Sequence, residues 1–329
     1  MRRIGIIIGF GISAACVWLV LRNIDFSQLG DSLANALLGW VLLSAGCSVL
    51  QMWIRSQRWQ RILKASREVP RNIAFKSYMV GQMANMVLPF RAGELIRVLA
   101  LGELIHVSKS ASLASVVTER ILDLFSLLLM LAITLLISPL PAWIIHSAWA
   151  VMFLATGATI LLLLMKKLKT NLISILSRFD KYLPDKITGK LTEFFDSFLS
   201  GIKGLGSIGQ YVWLIVETVL IWVLAGLGIY FLFLAFGMAE TYNLKFLAVL
   251  TMIVMTALGV SVPSSPGFVG TMHLAIIMGL GLFGIAKEEA LGYAVVLHFV
   301  SVVVIVSMGI ISLKGGMISF GSLYKTTKE

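Results

Sequence analysis

The chain has 329 residues, of which 58% are hydrophobic and 13% are charged, and its mean hydropathy is +0.94. These values exclude an ordinary soluble globular protein and predict an all-α polytopic membrane protein. The formal net charge is +11, but the basic residues fall in short segments between apolar stretches. That distribution is typical of cytoplasmic loops near anionic lipid, so we expect no nucleic acid partner.

The first half, residues 1–137, contains predicted spans at 4–21, 37–54 and 112–137. The second span leads into a strongly basic segment, which the positive-inside bias assigns to a cytoplasmic loop. Its basic residues are Arg55, Arg58, Arg61, Lys64, Arg67 and Arg71.

Pro89 and Gly93 interrupt the apolar stretch between the second and third spans. Proline cannot donate a backbone hydrogen bond and glycine tolerates unusual backbone angles, so a helix should stop near Leu88 and restart near Gly93. In lipid, the freed backbone groups are tolerated only where protein buries them or a wet cavity receives them. Residues 73–104 are therefore predicted to form a re-entrant hairpin that lines a polar chamber.

The second half, residues 138–329, contains predicted spans at 142–165, 211–236 and 290–313. Apolar residues recur at helical spacing in the basic segment from about 170 to 205, which predicts amphipathic helices on the cytoplasmic membrane surface. Basic residues follow the last span, so both termini are expected in the cytoplasm.

A second broken element runs from 244–262, through a Pro/Gly corner, to a return at 268–285. Its corner residues are Pro263, Pro266 and Gly267. Paired broken segments in two halves of a chain indicate a transport site near the midplane of an inverted repeat. We therefore predict one membrane domain, with about six spans and two re-entrant hairpins arranged as an inverted repeat.

Glu119, Arg120 and Asp123 lie inside an apolar span, with the two carboxylates on one helical face. Each charge near the bilayer centre costs roughly 2.5 to 3.5 kcal/mol on insertion scales, so these residues should face protein or water. The nearest charges in sequence are those of the first hairpin, and a cluster of three arginines and three carboxylates is expected. Its members would be Arg91, Glu94, Arg97, Glu119, Arg120 and Asp123.

Two interpretations of this cluster stay open. The planar guanidinium of Arg91 or Arg120 could bind two oxygens of an anionic headgroup, aided by the helix N-termini near Gly93 and Gly267. The alternative is a salt-bridge network that locks the broken helix to its neighbour. Glu217, His273 and His298 are weaker candidates for a cavity, since isolated polar residues in spans also serve packing.

Motifs of common enzymes are absent: the sequence has no H-E-x-x-H, no G-x-S-x-G and no Walker A run. Cys16 and Cys47 fall inside apolar spans without metal-ligand spacing. We therefore expect no enzymatic activity, no cofactor and no metal site.

Three segments resemble motifs of the lysylphosphatidylglycerol synthase transmembrane, or flippase-like, family over nearly the whole chain. They are Leu88-Pro89-Phe90-Arg91-Ala92-Gly93-Glu94, Thr118-Glu119-Arg120-Ile121-Leu122-Asp123 and Pro263-Ser264-Ser265-Pro266-Gly267-Phe268-Val269-Gly270. Many relatives carry a glutamate shortly after the third motif, where this sequence has His273.

The resemblance implies a lipid flippase of a bacterial-type inner membrane, which moves an anionic phospholipid or a polyprenyl-phosphate-linked lipid between leaflets. Synthase members continue into a soluble aminoacyl-transfer domain, whereas this sequence stops at Glu329, so synthase activity is not expected. A non-transporting subunit of a lipid-modifying enzyme and a small-solute or ion transporter stay open as alternatives. A homodimer and a lipid-synthesising enzyme partner are also open.

Overall fold

The regular elements of this computed structural model are all helical within the residues that the structure describes. These residues are 2–64, 67–88, 91–105, 107–137, 153, 157, 207–262 and 264–313. The helices are α1 (Arg2–Leu21), α2 (Phe26–Ala34), α3 (Leu38–Leu63), α4 (Arg71–Val87), α5 (Gly93–Ile105), α6 (Lys109–Ile137), α7 (Ile208–Ala235), α8 (Met238–Thr241), α9 (Phe246–Ser261), a 3-10 turn (Pro266–Phe268), α10 (Thr271–Gly281) and α11 (Lys287–Leu313).

Four of these helices, α3, α6, α7 and α11, are long and apolar enough to cross a membrane, counting only the described part of the chain. A fifth span is formed if the bent pair Gly9–Leu21 and Phe26–Ala34, which meet at 89°, is taken together. The protein is thus a multi-pass membrane protein. The predicted span at 142–165, the surface helices at about 170–205 and the C-terminal tail lie outside the described residues, and the inverted repeat stays a prediction.

The first hairpin consists of α4 and α5, which pack against each other. α4 ends at Val87 and α5 begins at Gly93, so the predicted break in the helix is confirmed. Pro89 itself lies outside the described residues. The two arms approach closely because Gly81 and Gly93 face each other: a Cβ atom on Gly93 would overlap the Gly81 carbonyl oxygen.

The second hairpin consists of α9 and α10, which also pack against each other. Its return was predicted from Phe268, but α10 begins only at Thr271. The difference has a backbone cause, since Gly267, Phe268 and Gly270 all have positive φ values, of 69°, 60° and 89°. A right-handed helix cannot continue through such residues. Pro263 lies outside the described residues.

Helix α3 is the central scaffold, because it contacts α4, α6, α7 and α11. One core cluster joins α3 to the first hairpin through Trp59, Leu63, Tyr78, Met79 and Leu101. The other large cluster is formed by α7, the second hairpin and α11. The space between these two cores contains the site described next.

Candidate functional site

Glu119 and Asp123, one turn apart on α6, are the centre of a buried group of charges. Glu119 Oε2 lies 2.7 Å from Arg97 Nη1 of α5, and Glu119 Oε1 lies 3.1 Å from Arg120 Nη2. Asp123 Oδ2 lies 3.4 Å from Arg120 Nη1. The structure therefore brings together these four residues, as the sequence predicted.

Arg58 is, like Glu119, a fully buried member of the group, although the sequence placed it in a cytoplasmic loop. That prediction was wrong: α3 continues past Ile54 to Leu63, and Arg58 is 0% exposed. Its Nη2 donates a hydrogen bond to Asp123 Oδ1 and lies 3.5 Å from Glu119 Oε1. A guanidinium is stable there because two carboxylates compensate its charge.

Arg55, one turn before Arg58, is also part of α3 rather than of a loop. Its Nη1 donates to Asp123 Oδ2 at 3.3 Å, and its guanidinium lies over the Trp222 ring of α7, 5.7 Å from the centroid. Arg55, Arg58 and Arg61 are three residues apart, which places them along one side of a helix. That spacing, directly after an apolar run, was the signal that sequence reasoning missed.

Arg97 is held between two aromatic rings. Its guanidinium carbon is 4.9 Å from the Trp59 centroid and 5.3 Å from the Tyr78 centroid. The side chain is 2% exposed, and its three nitrogens make no geometrically good hydrogen bond within the described residues. Its charge is therefore stabilised by the close Glu119 carboxylate and by cation–π attraction.

Arg120 and Glu94 form the accessible rim of the group, with side chains 32% and 23% exposed and Arg120 Nε 3.5 Å from Glu94 Oε1. Arg91 lies within electrostatic range of Glu94, Asp123 and Arg120. We call the whole set the charge cluster. Its members are Arg55, Arg58, Arg91, Arg97, Arg120, Glu94, Glu119 and Asp123. Five arginines against three carboxylates leave an excess of two positive charges in this set.

The turns of the two hairpins meet beside this cluster. Arg91 Nη2 donates to the Val260 carbonyl of α9 at 3.3 Å, and the Arg91 guanidinium lies 5.8 Å from the Phe268 ring centroid. On the other side, a Cβ atom on Gly267 would lie 3.5 Å from the Met86 carbonyl oxygen. Arg91 therefore links the two turns.

Three weaker candidates are placed at different points. Glu217 of α7 accepts two hydrogen bonds from Arg61, at 2.9 and 3.1 Å, and so forms a separate ion pair. His273 and His298 contact each other edge to face, with centroids 4.9 Å apart. His298 Nε2 lies 3.8 Å from the position that a Cβ atom on Gly267 would take, so the histidine pair lies next to the second turn.

An apolar cavity of about 510 Å³ lies between α6, α7 and α9. Its outer lining residues Leu129 and Phe246 are 63% and 64% exposed, so the cavity opens to the side of the helical body. Its polar end is formed by Thr218 and Trp222, and Thr218 Oγ1 accepts a hydrogen bond from Arg58 at 3.2 Å. The apolar cavity is thus joined to the charge cluster through Thr218.

A second, polar cavity of about 250 Å³ lies on the other side of Trp222. Helix α3 contributes Ser44, Ser48, Gln51 and Arg55 to its lining, a polar stripe at helical spacing. The stripe covers the twelve residues from Ser44 to Arg55, or roughly 16 Å at a rise of about 1.5 Å per residue. It runs about half the roughly 30 Å thickness of a bilayer core and ends at the charge cluster.

Comparisons with known proteins agree with the predicted resemblance. The family model described as the lysylphosphatidylglycerol synthase TM region matches residues 6–309. A similar protein is a UPF0104 membrane protein of Methanothermobacter thermautotrophicus, strain Delta H, with 22% identity over 320 residues, which cover 93% of each chain. No solved structure gives a significant match.

Proposed function

The chain belongs to the family of the lysylphosphatidylglycerol synthase TM region, and from this premise we propose that it is a lipid flippase. Its substrate would be an anionic phospholipid or a polyprenyl-phosphate-linked lipid, moved between the leaflets of a bacterial-type inner membrane. The observation that carries the proposal is the apolar cavity with exposed apolar residues at its mouth, whose lining residue Thr218 accepts a hydrogen bond from Arg58 of the charge cluster.

The side opening suits a substrate that arrives from lipid. Acyl or prenyl chains can occupy an apolar cavity without contact with water, and the exposed apolar residues at its mouth are compatible with surrounding lipid. A small-solute or ion transporter needs access from water only. The continuity of the cavity with the membrane side therefore favours a lipid substrate.

The charge cluster suits an anionic headgroup. Its two excess positive charges are costly in an apolar interior unless an anion balances them. Arg120, partly exposed at the rim, has a planar fork that can bind two phosphate oxygens. We therefore assign the headgroup phosphate to the region of Arg120, Arg91 and Arg55.

The turns of the two hairpins supply a plausible moving part. Arg91 joins the first turn to Val260 and Phe268 of the second hairpin, and a phosphate at Arg91 would compete with the Val260 carbonyl. Binding could thus loosen the contact between the hairpins and favour rocking of one half of the proposed inverted repeat against the other.

The direct test is lipid movement in proteoliposomes. Purified protein is reconstituted, and movement of labelled phosphatidylglycerol between leaflets is followed for wild type, Arg120→Gln and the control Arg22→Gln. Arg22 lies over Trp18 at the end of α1, with its guanidinium carbon 5.2 Å from the ring centroid, outside the charge cluster. Loss of a charge-assisted hydrogen bond of about 1.5–3 kcal/mol predicts at least about tenfold slower movement for Arg120→Gln and an unchanged rate for Arg22→Gln.

Wild-type protein that binds phosphatidylglycerol but does not move it would overturn the proposal. That outcome would favour a non-transporting subunit of a lipid-modifying enzyme. Equal rates for wild type and Arg120→Gln, with both proteins equally stable, would instead remove the charge cluster from the mechanism and leave it as a lock between helices.

A further inference from the structure

The polar cavity between α3, α7, α9 and α11 has a lining that differs from both the apolar cavity and the charge cluster. Apart from Arg55, its polar members among the described residues are uncharged hydrogen-bonding groups. They are Ser44, Ser48, Gln51, Trp222, Thr256 and Ser301. The other nine described lining residues are apolar. Hydrogen-bonding groups that lie among them without a partner are expensive in a membrane unless something occupies the cavity.

Several groups in the lining have unused hydrogen-bonding capacity. Trp222 Nε1 and Thr256 Oγ1 are buried without a hydrogen-bond partner among the described residues. Ser48 and Ser301 donate to the carbonyls of Ser44 and Leu297 in their own helices, which leaves their oxygen lone pairs able to accept. The cavity therefore offers both donors and acceptors at short range.

From this lining we infer that the polar cavity binds the uncharged, hydroxyl-rich part of an anionic lipid headgroup, such as glycerol or a single sugar. The inference rests on the proposed function and names the headgroup class for the same transport site. A hydroxyl both donates and accepts, so it can satisfy the indole N–H of Trp222 and a serine oxygen at once.

The position of Arg55 indicates where each part of the bound lipid would lie. Arg55 lines the polar cavity and also pairs with Asp123 of the charge cluster, while Trp222 lines both cavities. A phosphate beside Arg55 would therefore have its hydroxyl-bearing group in the polar cavity and its chains in the apolar cavity. This arrangement follows the covalent order of a phospholipid.

The size of the cavity limits the group that it can take. A volume of about 250 Å³ corresponds to roughly eight water molecules at about 30 Å³ each. Glycerol or one sugar fits in that space, whereas an oligosaccharide does not.

The charge of the lining disfavours a cationic aminoacyl group. No carboxylate is among the described lining residues. The Trp222 ring, which could otherwise attract an ammonium group, already lies under the Arg55 guanidinium. A lysyl group would therefore meet like charge and gain no counter-ion.

The test is competitive lipid retention measured by native mass spectrometry on the purified full chain. Four lipids with identical acyl chains are offered: phosphatidylglycerol, phosphatidylinositol, phosphatidic acid and lysylphosphatidylglycerol. Wild type should retain at least one of the first two more than about threefold over phosphatidic acid, which lacks the hydroxyl group, and more than lysylphosphatidylglycerol. The first two arms separate glycerol from a sugar-sized ring.

Two variants remove single hydrogen-bonding groups: Thr256→Val, which preserves shape, and Trp222→Phe, which keeps an aromatic ring but is smaller. Each should lower the preference over phosphatidic acid by about threefold to tenfold, the range expected for one lost hydrogen bond, while retention of phosphatidic acid stays unchanged. The matched control is Thr251→Val on the same helix, because Thr251 Oγ1 donates to the Leu247 carbonyl and does not line the cavity.

Each contrary outcome has its own meaning. Equal retention of all four lipids, a preference for lysylphosphatidylglycerol, or variants that keep the wild-type ratio would overturn the headgroup assignment alone. Retention of no anionic lipid by wild type would overturn the proposed function together with this inference.

Discussion

The first hairpin (α4 and α5) and the second hairpin (α9 and α10) contact each other at their turns, but only the first carries charged residues of its own next to its turn. The second hairpin has no Asp, Glu, Lys or Arg between Phe246 and Gly281. Its turn is contacted by Ser13, by His298 and by Arg91 of the first hairpin. The second turn can therefore be built without an ionised side chain of its own.

Both turns need hydrogen-bond acceptors for backbone N–H groups that have no partner within a helix. Asn85 Oδ1 accepts a hydrogen bond from Gly93 N at 2.8 Å in the first hairpin. Ser13 Oγ accepts one from Ser265 N, also at 2.8 Å, in the second. Since neutral side chains suffice for this task, the charges of the first hairpin need another explanation, which the anionic ligand proposed above would provide.

The largest expected effect comes from removing Glu119 of α6, the carboxylate that pairs with Arg97 of the first hairpin. Glu119→Gln leaves Arg97 and Arg58 with one carboxylate fewer, and breaking a buried pair in this way should cost about 3–5 kcal/mol of stability. Thermal unfolding in detergent measures the loss, and the exposed residue Glu240, changed to Gln, is the control.

The double variant Glu119→Gln, Arg97→Met sharpens this result. Because both partners of one pair are then neutral, part of the lost stability should return. A Glu119→Gln variant as stable as wild type would show that the cluster is already hydrated or bound to an anion, and the contrast between the hairpins would lose its energetic basis.

An intermediate effect is expected from closing the gaps between hairpin arms. A Cβ atom on Gly93 would overlap the Gly81 carbonyl, and one on Gly259 would lie 2.8 Å from Ala275 Cβ and 2.9 Å from Met272 Cα. Gly93→Ala and Gly259→Ala should each cost about 1–3 kcal/mol, since overpacking forces backbone shifts.

These two variants test whether the two hairpins lose a similar amount of stability when their packed helices are forced apart. Gly46→Ala on α3 is the control, since nothing lies within 4 Å of its added Cβ atom, and Ala should stabilise that helix slightly. Unfolding midpoints of the three variants give the comparison. A large loss at only one hairpin would mean that the other can separate its arms at little cost.

The smallest effect is expected from removing the two side-chain acceptors at the turns, Asn85 Oδ1 and Ser13 Oγ. Asn85→Ala and Ser13→Ala each leave one buried N–H without its acceptor, at a cost of about 1 kcal/mol, toward the lower end of the range for such groups. Hydrogen exchange of Gly93 and Ser265 should rise in the corresponding variant alone. Ser261→Ala is the control, because Ser261 Oγ donates to the Ala257 carbonyl of its own helix; faster exchange at Gly93 in that variant would contradict the assignment of Asn85.

The sequence predicts those structural features that depend only on neighbouring residues. Pro89 and Gly93 interrupt a helix through their own backbone chemistry, so the break could be placed to within a residue or two. The pairing of Glu119 and Asp123 with Arg97 and Arg120 was also accessible, since charges in apolar spans must find each other.

The sequence does not predict features that depend on a residue far away along the chain. Arg58 lies 65 residues from Asp123, and a local count of basic residues cannot distinguish a loop arginine from one that a remote carboxylate neutralises. The start of α10 was also misplaced, because nothing in the local sequence predicts a positive φ at the non-glycine residue Phe268, whose ring contacts Arg91. The polar stripe of α3 was likewise not predicted, because its serines are small and the sequence alone does not show that they face α7 and α9.

The burial of Arg58 also has a consequence for biogenesis. Helix α3 is synthesised well before α6, and during that interval the guanidinium of Arg58 has neither Glu119 nor Asp123 beside it. Arg58 lies in the last third of α3, and an arginine without a counter-ion is unfavourable in lipid, so this end of α3 should stay at the membrane–water interface until α6 arrives. Thr218 of α7, which accepts from Arg58 at 3.2 Å, joins later still. One arginine thereby orders the assembly of three helices.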